Sequence, residues 1–400
     1  MEQLLLTFGL VVVFYLIIPG IGAFDVRGRW RRFRRDVLLS SSFRIAEYEQ
    51  FHEATTRADG TELGSFRFFG TLEAIQGDDT IWLKNGNVTV AADMTEVRVC
   101  LLHPDNESGR PLSAENPSPS YPDLTPQIIS WSRMGTLSEG TRFYVGGHME
   151  VQRGLPTFRR STGSPLIVVI YEGNDESLLA RCIWSGRQRN EYWNQFTPAS
   201  LLTGAFALLV LSYFYLRSPL LRLPVLFSLS LSAVPVMPLL PPGVALFFLY
   251  RYWWRRGRYF RAQRDLVRLP IRYFAEGEFP GTAELPDGSR YCCRVVPATA
   301  VKSENGEPFL IREVPGLRSG EDESKLYLFG VEKRNADATE VVRPADPMAE
   351  HVAYRQEPAK LAAACETEAR RLESRSGIAF AVGLLVNAYA VFLLLSNIVR

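Results

Sequence analysis

Four long apolar segments constrain the fold of this chain more than any other feature of its sequence. They cover approximately residues 4–24, 198–216, 225–250 and 378–399, and no charged residue or histidine lies within them. A helix of about 20 apolar residues is long enough to cross the hydrocarbon core of a bilayer. The sequence therefore predicts four transmembrane helices. The first is expected to be a retained anchor, because a basic block follows it and none precedes it.

Arginines cluster beside three of the four apolar segments and predict their orientation. Six lie within 27–35, six within 251–264 and three within 370–375, whereas the loop between the second and third segments holds two. Lys and Arg are enriched on the cytoplasmic flanks of membrane helices. We therefore expect a protein of a plasma or inner membrane, with both termini outside and the polar segments 25–197 and 251–377 in the cytoplasm.

The two polar segments share an ordered set of short sequence matches. "RGRWRRFRRDV" (27–37) aligns with "RGRYFRAQRDL" (256–266) without a gap, and the pattern F-x-G-T-x-E occurs at 68–73 and again at 279–284. Upstream of both, "PGIGAF" matches "PGVALF". Because the matches keep their order along the chain, they indicate an internal duplication.

Two further matches support the duplication and locate an insertion in its first copy. At a common offset of 183 residues, they align Gly147 with Gly330 and Tyr171 with Tyr354. The offset between the two F-x-G-T-x-E motifs is 211 residues, so the first copy carries about 28 additional residues. The Pro-, Ser- and Asn-rich segment 103–126 is predicted to be this insertion and to form an irregular loop.

Each copy, at approximately 1–216 and 224–400, reads as a span, a basic neck, a β-rich domain, a helix and a second span. A unit with two spans keeps its orientation when it is duplicated, which predicts a pseudo-two-fold axis along the membrane normal. In chain order, the predicted segments are the first transmembrane helix 1–24, the basic neck and linker 25–64, β-domain 1 at 65–185, the second and third transmembrane helices 198–216 and 225–250, the second neck 251–270, β-domain 2 at 271–357, a helix 358–376 and the fourth transmembrane helix 378–399.

Turn signals between short apolar runs predict that the polar domains are β-rich. Asn85-Gly86 separates two such runs in "TIWLKNGNVTV", a pattern typical of a β-hairpin. "PLIVVIY" (165–171) fits a strand that is buried on both faces. Each domain has enough runs for five or six strands. The expected fold class is therefore α+β, with four transmembrane helices and two cytoplasmic domains that resemble small barrels or sandwiches.

The sequence has few of the residue patterns that carry catalysis or metal binding. Its four histidines are widely separated, its five cysteines contain no CxxC spacing, and it lacks a phosphate-binding glycine motif. We therefore expect no cofactor, no metal and no enzymatic activity. Glu73 and Glu284 recur in F-x-G-T-x-E and are the best acidic candidates for a shared role, although an ion pair at a strand edge or neck explains them more simply. Gly147 and Gly330 fit a bulge or a close strand crossing.

Four prolines interrupt the third apolar segment, at 235, 238, 241 and 242. They are expected to kink or unwind the helix, which a membrane tolerates only where protein or water satisfies the freed backbone groups. Asn387 and the serines at 212, 228, 230 and 232 can supply hydrogen bonds between helices. A bent packing helix is the simpler interpretation, and a cavity for an apolar molecule is the alternative.

The stretch "RGRWRRFRRD" (27–36) has two interpretations. Arginines with interleaved aromatic residues are typical of nucleic-acid binding, but the position beside an apolar segment and the recurrence in the second copy favour a structural neck. In this interpretation the Arg-Asp pairs join span to β-domain, other arginines contact anionic lipid headgroups, and no nucleic acid is bound. The predicted neck residues are Arg27, Arg29, Trp30, Arg35, Asp36, Arg256, Arg258, Tyr259, Arg264 and Asp265.

These predictions favour a non-enzymatic membrane scaffold or adaptor whose paired cytoplasmic β-domains bind a protein partner. The alternative is a transport or lipid-handling component that uses the proline-broken third span. A membrane-bound enzyme is the second alternative, and it depends on Glu73 and Glu284 alone.

Overall fold

The chain is an α+β protein with two β-sheets and three apolar helices that are candidates for membrane spans. The computed structural model describes residues 2–102, 126–161, 165–187, 189–217, 221–241, 243–275, 279–297, 310–317, 325–334 and 339–398, so nearly all of the predicted loop 103–126 lies outside the described residues. The chain divides into two compact units. The helical unit comprises Met1–Arg31, Gln188–Arg261 and Glu366–Arg400, and the sheet unit comprises Arg32–Arg187 and Ala262–Cys365.

Three helical stretches are long and apolar enough to cross a membrane: Glu2–Ser40, Thr197–Leu216 and Pro358–Asn397. Large apolar side chains on them point away from the protein, since Phe24, Leu202 and Leu385 are 81%, 71% and 69% exposed. An apolar surface of this extent marks a region that contacts lipid or protein. The helices are α1 (Glu2–Val11), a π-helical turn (Val12–Ile17), α2 (Ile18–Ser40), α3 (Tyr48–Thr56), α4 (Asp175–Trp184), α5 (Thr197–Leu216), α6 (Arg222–Ser232), α7 (Gly243–Val267) and α8 (Pro358–Ile398).

The sequence divides these helices differently from the structure at two places. The first basic neck is not a separate linker but the second half of α2, which continues to Ser40. Gly377, which separates the predicted helix 358–376 from the predicted span 378–399, lies inside the uninterrupted α8. A single glycine costs a helix only about 1 kcal/mol relative to alanine, and its flanks are otherwise strongly helical. Gly377 therefore does not end the helix.

The predicted third span is not one helix. Its residues form the 11-residue α6, a short 3₁₀ turn at Met237–Leu239 and the start of α7. The break coincides with the prolines, which cannot donate a backbone hydrogen bond and clash with the preceding turn. Among the described residues, three helices rather than four therefore meet the length and hydropathy expected of a span.

Asn387 of α8 satisfies the backbone groups that this break frees. Its side-chain amide donates hydrogen bonds to the carbonyl oxygens of Met237 and Leu240, the latter at 2.9 Å, and its Oδ1 accepts one from the Gly243 N–H at 3.1 Å. Asn387 is 1% exposed. A Cβ at Gly243 would overlap the Asn387 amide, which explains the glycine at this position. One buried side chain thus replaces the missing helical hydrogen bonds.

A similar arrangement holds α5 against the π-helical turn. Asn194 donates to the Pro19 carbonyl at 2.9 Å and accepts from the Phe196 N–H at 3.0 Å. Tyr192 donates its hydroxyl to the Tyr15 carbonyl at 2.6 Å. Gly204 allows a close helix approach, because a Cβ there would lie 2.7 Å from Tyr15. The irregular backbone of the first helix is therefore bonded by the segment that leads into α5.

The first sheet contains a closed barrel. The pairing order β2-β3-β4-β8-β7 returns to β2, and β9, β5 and β6 extend from β7. Its interior holds a continuous apolar core that includes Phe68, Leu83 and Phe143. The predicted hairpin at Asn85-Gly86 is present as β3–β4, with Gly86 at φ 58°. The strands are β1 (Arg44–Ile45), β2 (Glu62–Gln76), β3 (Thr80–Asn85), β4 (Val88–Asp93), β5 (Arg98–Leu101), β6 (Gln127–Ser130), β7 (Arg142–Gln152), β8 (Leu155–Arg159) and β9 (Ile167–Tyr171).

The second sheet is packed on both faces. Its order is β10-β11-β13-β15-β12, and β14 pairs with β13. Leu326 and Leu328 pack with Ala353 on one face, whereas Phe329 stacks with Phe279 at 6.0 Å on the other. The strands are β10 (Thr282–Glu284), β11 (Arg290–Pro297), β12 (Leu310–Ile311), β13 (Lys325–Arg334), β14 (Thr339–Val342) and β15 (Val352–Tyr354).

Replacing Asn387 with Ala should destabilise the helical unit. The change removes the partner of the Gly243 N–H, and an unsatisfied buried N–H costs about 1–3 kcal/mol. It also removes one hydrogen bond from each of the Met237 and Leu240 carbonyls, which keep the bonds that they accept from the Leu240 and Val244 N–H groups. We expect a lower thermal midpoint of the detergent-solubilised protein. Asn397→Ala, at an exposed position near the end of the same helix, is the matched control. Equal midpoints for the two variants would contradict the assigned role.

Candidate functional site

The Arg-Asp pair of each predicted neck forms an ion pair, but the two differ in their surroundings. Arg264 donates to Asp265 at 2.7 Å, and the buried Arg187, which follows α4, pairs with the second oxygen of the same carboxylate. In the first neck, Arg35 lies 3.2 Å from Asp36, and the Arg35 side chain is 69% exposed. Asp265 therefore fixes α7 to the residues after α4 within the sheet unit, whereas the described partner of Asp36 is its own neighbour.

The second neck also carries a half-buried charge cluster within the helical unit, here named the boundary cluster: Arg258, Arg261, Glu191, Glu366 and Glu373. Arg258 donates to Glu191 at 2.6 Å. Arg261 makes a bidentate contact with Glu373, with both bonds at 2.6 Å, and lies 3.5 Å from Glu366. Burial lowers the pKa of Arg258, and Glu191 opposes that shift. The cluster bonds α7 to α8 and to the segment before α5.

The glycine of the Arg-Gly-Arg motif is required by close packing at only one of the two places where the motif occurs. A Cβ at Gly257 would lie 3.1 Å from Glu373 and 3.4 Å from the Ala369 carbonyl, so the glycine lets α7 and α8 approach closely. A Cβ at Gly28 would meet nothing within 4 Å. The shared motif therefore has different packing roles in the two necks.

Some of the remaining neck residues form ion pairs, and others contact aromatic rings. Arg29 pairs with Asp25 at 2.9 Å, one turn earlier on α2. Arg256 lies over the ring of Phe260 at 5.6 Å, and the Tyr259 ring is 5.4 Å from the same residue. Trp30 is buried, whereas Arg27 is exposed. The predicted neck set thus contains both buried structural residues and solvent-exposed arginines.

Glu73 and Glu284 occupy different strand pairings. Glu73 lies on β2, where its carboxylate is 3.4 Å from Lys84 and accepts a hydrogen bond from Thr89 at 3.2 Å. Glu284 is exposed on β10 and is paired in register with Arg290. In the first sheet, F-x-G-T-x-E pairs directly with β7 through Gly70 and its neighbours. In the second sheet it pairs with β11 instead of β13. The structure does not bring the two carboxylates into equivalent environments.

The glycines and tyrosines shared by the copies serve close packing. A Cβ at Gly147 would lie 3.0 Å from Leu166, and one at Gly330 would lie 2.6 Å from the Val342 carbonyl. Tyr171 donates to Asp175 at 2.7 Å at the start of α4. Tyr354 is fully buried at the end of β15, and burial raises its pKa to about 12.

All five cysteines are free and buried. Burial raises the pKa of Cys182 and of Cys293 to about 12, so both thiols are protonated at neutral pH. Cys292 and Cys293 lie on opposite faces of β11 as adjacent strand residues do, and both are buried because the second sheet is covered on both sides. Within the ranges that the structure describes, no group of three or more His, Cys, Asp or Glu side chains could hold a metal ion.

A buried ion pair that the sequence analysis did not identify joins the two β-regions of the sheet unit. Arg67 of β2 pairs with Asp346, which follows β14, and both side chains are 1% exposed. Arg67 also donates to the Phe43 carbonyl at 2.8 Å, and Asp346 accepts from the Met348 N–H at 2.9 Å. Neither residue lies in a motif shared by the two copies. Their only sequence signal is that Arg67 stands between Phe66 and Phe68 in a strand rich in aromatic residues.

No known protein family, curated protein or solved structure matches this chain.

Breaking the Arg67–Asp346 pair from one side should destabilise the sheet unit strongly. Arg67→Met leaves a buried carboxylate without its cation, which costs about 3–5 kcal/mol, whereas the double change Arg67→Met/Asp346→Leu removes both charges and should recover most of that loss. Lys84→Met is the control, because the Lys84–Glu73 pair is exposed and such pairs contribute below about 1 kcal/mol. Urea unfolding measures all three, and equal losses for Arg67→Met and Lys84→Met would contradict the assignment.

Proposed function

We propose that this chain is a non-enzymatic integral membrane scaffold that presents two β-regions, in fixed arrangement, to a protein partner in the cytoplasm. The observation that carries the proposal is the buried Arg67–Asp346 ion pair. It connects the first sheet to the segment between β14 and β15 inside one compact unit. A surface formed by both sheets is then preorganised, and preorganisation reduces the entropy lost when a partner binds.

The sheet unit supports an origin by tandem duplication. Within the first sheet, β7 pairs with β2 along one edge and with β8 and β9 along the other. Within the second sheet, β13 pairs with β11 along one edge and with β14 and β15 along the other. Next in each sheet, β5 pairs in parallel with β9, and β12 pairs in parallel with β15. The two sheets share the pattern on the side of β8 and β9 in the first and of β14 and β15 in the second. They differ on the other side, where β2 pairs directly with β7 but β10, which carries the same F-x-G-T-x-E motif, pairs with β11.

The helices support the same interpretation. At the offset of 183 residues, α4 and α5 together span residues 175–216, which correspond to 358–399, and α8 covers 358–398. "GAFA" at 204–207 then aligns with "NAYA" at 387–390. Gly204 contacts Phe14, and Asn387 binds the carbonyl of Met237. Phe14 and Met237 are themselves equivalent when the two Pro-Gly motifs are aligned. The region that forms two helices in the first copy, α4 and α5, therefore forms the single helix α8 in the second copy.

The proposed membrane topology has four crossings, with the broken segment α6–α7 as the third. Its freed backbone groups are bonded to Asn387, which favours a bent packing helix over an open pathway for a transported molecule. The enzyme alternative has less support, since Glu73 is engaged by Lys84 and Thr89 and the two shared carboxylates differ in their surroundings. Membrane anchoring by the apolar helices and partner binding by the sheets is the function that we propose.

Two engineered cysteines should react from opposite sides of a sealed membrane. The five native thiols are buried, so they give little background labelling in the folded protein. Asn87→Cys places a thiol on the exposed β3–β4 turn, and Asn397→Cys places one at the exposed end of α8. With a membrane-impermeant maleimide, intact cells should label only Asn397→Cys and inverted vesicles only Asn87→Cys. Labelling of both from the same side would overturn the topology.

Photo-crosslinking should find a protein at the sheets and lipid at the helices. Ile75 and Leu155 are large apolar residues of the sheet unit that are 43% and 39% exposed, and exposed apolar side chains are favoured at interfaces. Benzoylphenylalanine at these positions should yield adducts with one protein in native membranes. The same group at Leu202 or Leu385 is the control and should yield lipid adducts. Lipid adducts alone, at all four positions, would contradict the scaffold.

A further inference from the structure

The helical unit has a strong excess of positive charge where its apolar helices end. Twelve arginines and five carboxylates lie in its segments 25–31, 189–191, 251–261 and 366–375. The excess begins next to exposed aromatic side chains, since Phe24 is 81% and Tyr252 is 58% exposed. Aromatic residues followed by arginines are typical of the boundary between the hydrocarbon and the headgroups of a membrane.

Each of these five carboxylates forms an ion pair with an arginine. Asp25 pairs with Arg29 at 2.9 Å, and the other four pairs are Glu191–Arg258 at 2.6 Å, Glu373–Arg261 at 2.6 Å, Glu366–Arg370 at 2.8 Å and Glu368–Arg371 at 3.7 Å. No carboxylate of these segments is therefore left to neutralise a further cation.

Seven of the twelve arginines stand outside these five pairs, and three of the exposed ones lie on α2 and α7. In the described part of the chain, Arg27 and Arg31 on α2 and Arg251 on α7 have no ion-pair partner. Arg27 and Arg31 are one turn apart, so their side chains leave α2 on the same face. Arg251 follows the apolar part of α7 and precedes Tyr252. Burial is the main cause of the lowered pKa of Arg258, Glu191 and Glu373 oppose it, and the nearby charge of Arg27 contributes to the lowering.

We infer that Arg27, Arg31 and Arg251 bind the phosphate groups of anionic phospholipids. A guanidinium offers a planar set of donors that matches phosphate oxygens in bidentate geometry. The lipid source, rather than a free phosphate, follows from Phe24 and Tyr252, which place the three arginines at the end of an apolar surface that acyl chains would cover. The inference rests on the proposed membrane anchoring. It assigns Arg27, Arg31 and Arg251 to lipid binding and the arginines that are paired with carboxylates to the protein framework.

Reconstitution into nanodiscs tests the inference with the full chain. The probes are phosphatidylcholine alone and phosphatidylcholine mixed with phosphatidylglycerol, and the readouts are the thermal midpoint and the lipid retained after detergent extraction. The wild type should have a higher midpoint in the mixed lipid and should retain phosphatidylglycerol selectively. Arg27→Gln/Arg31→Gln should reduce that selectivity roughly fivefold for each arginine removed, and Arg251→Gln should reduce it by one such step.

The matched control is Arg370→Gln/Arg371→Gln, which removes the same charge from exposed arginines that are paired with carboxylates of their own helix. It should retain the wild-type selectivity. Equal losses in the two double variants would overturn the inference in favour of a diffuse electrostatic field. Stabilisation by inorganic phosphate in detergent, equal to that by phosphatidylglycerol, would overturn the lipid source. Failure of the wild type to enter nanodiscs would instead overturn the proposed membrane anchoring.

Discussion

The hydrogen-bonding requirement of buried polar groups is the constraint on which both units of this protein depend. In the helical unit, the break after α6 exposes two carbonyls and an N–H that Asn387 binds. In the sheet unit, Arg67 is buried on the outside of a barrel strand and is neutralised by Asp346. Burying such groups without partners costs several kcal/mol. The partners come from distant parts of the chain, so each interaction fixes a long-range contact of the fold.

The arginine necks follow the same rule. An arginine beside a carboxylate becomes part of the protein framework, as Arg258 does with Glu191 and Arg261 with Glu373. An exposed arginine that no carboxylate neutralises retains its charge for an external anion. With the lipid binding that we propose, the Arg-Gly-Arg motif would combine framework and lipid contacts in one stretch of helix. Whether an arginine belongs to the framework depends on which side chains α8 and the 189–196 segment bring near it.

The two sheets show how one strand arrangement can be used in two ways. β7 and β13 have matching neighbours along one edge only, and β3 and β4 allow the first sheet to close around a core that includes Phe68 and Phe143. Among the described strands, the second sheet stays open and is instead covered on its two faces by an aliphatic and an aromatic layer. These cores are filled by side chains. The scaffold that we propose would need a rigid surface, and apolar cores joined by a buried ion pair fit that requirement.

The sequence by itself determined three of the four predicted apolar helices, the β-rich character of the polar regions, the hairpin at Asn85-Gly86 and the position of the break in the third apolar segment. These features follow from local hydropathy, turn preference and the missing N–H of proline, so neighbouring residues suffice to predict them. The tertiary structure decided which groups fill the break, that α8 continues through Gly377, and that Glu73 binds Lys84. It also decided the pairing of Arg67 with Asp346, 279 residues later in the chain. No local pattern marks such partners, because their energies depend on burial and on charges that only the folded chain brings together.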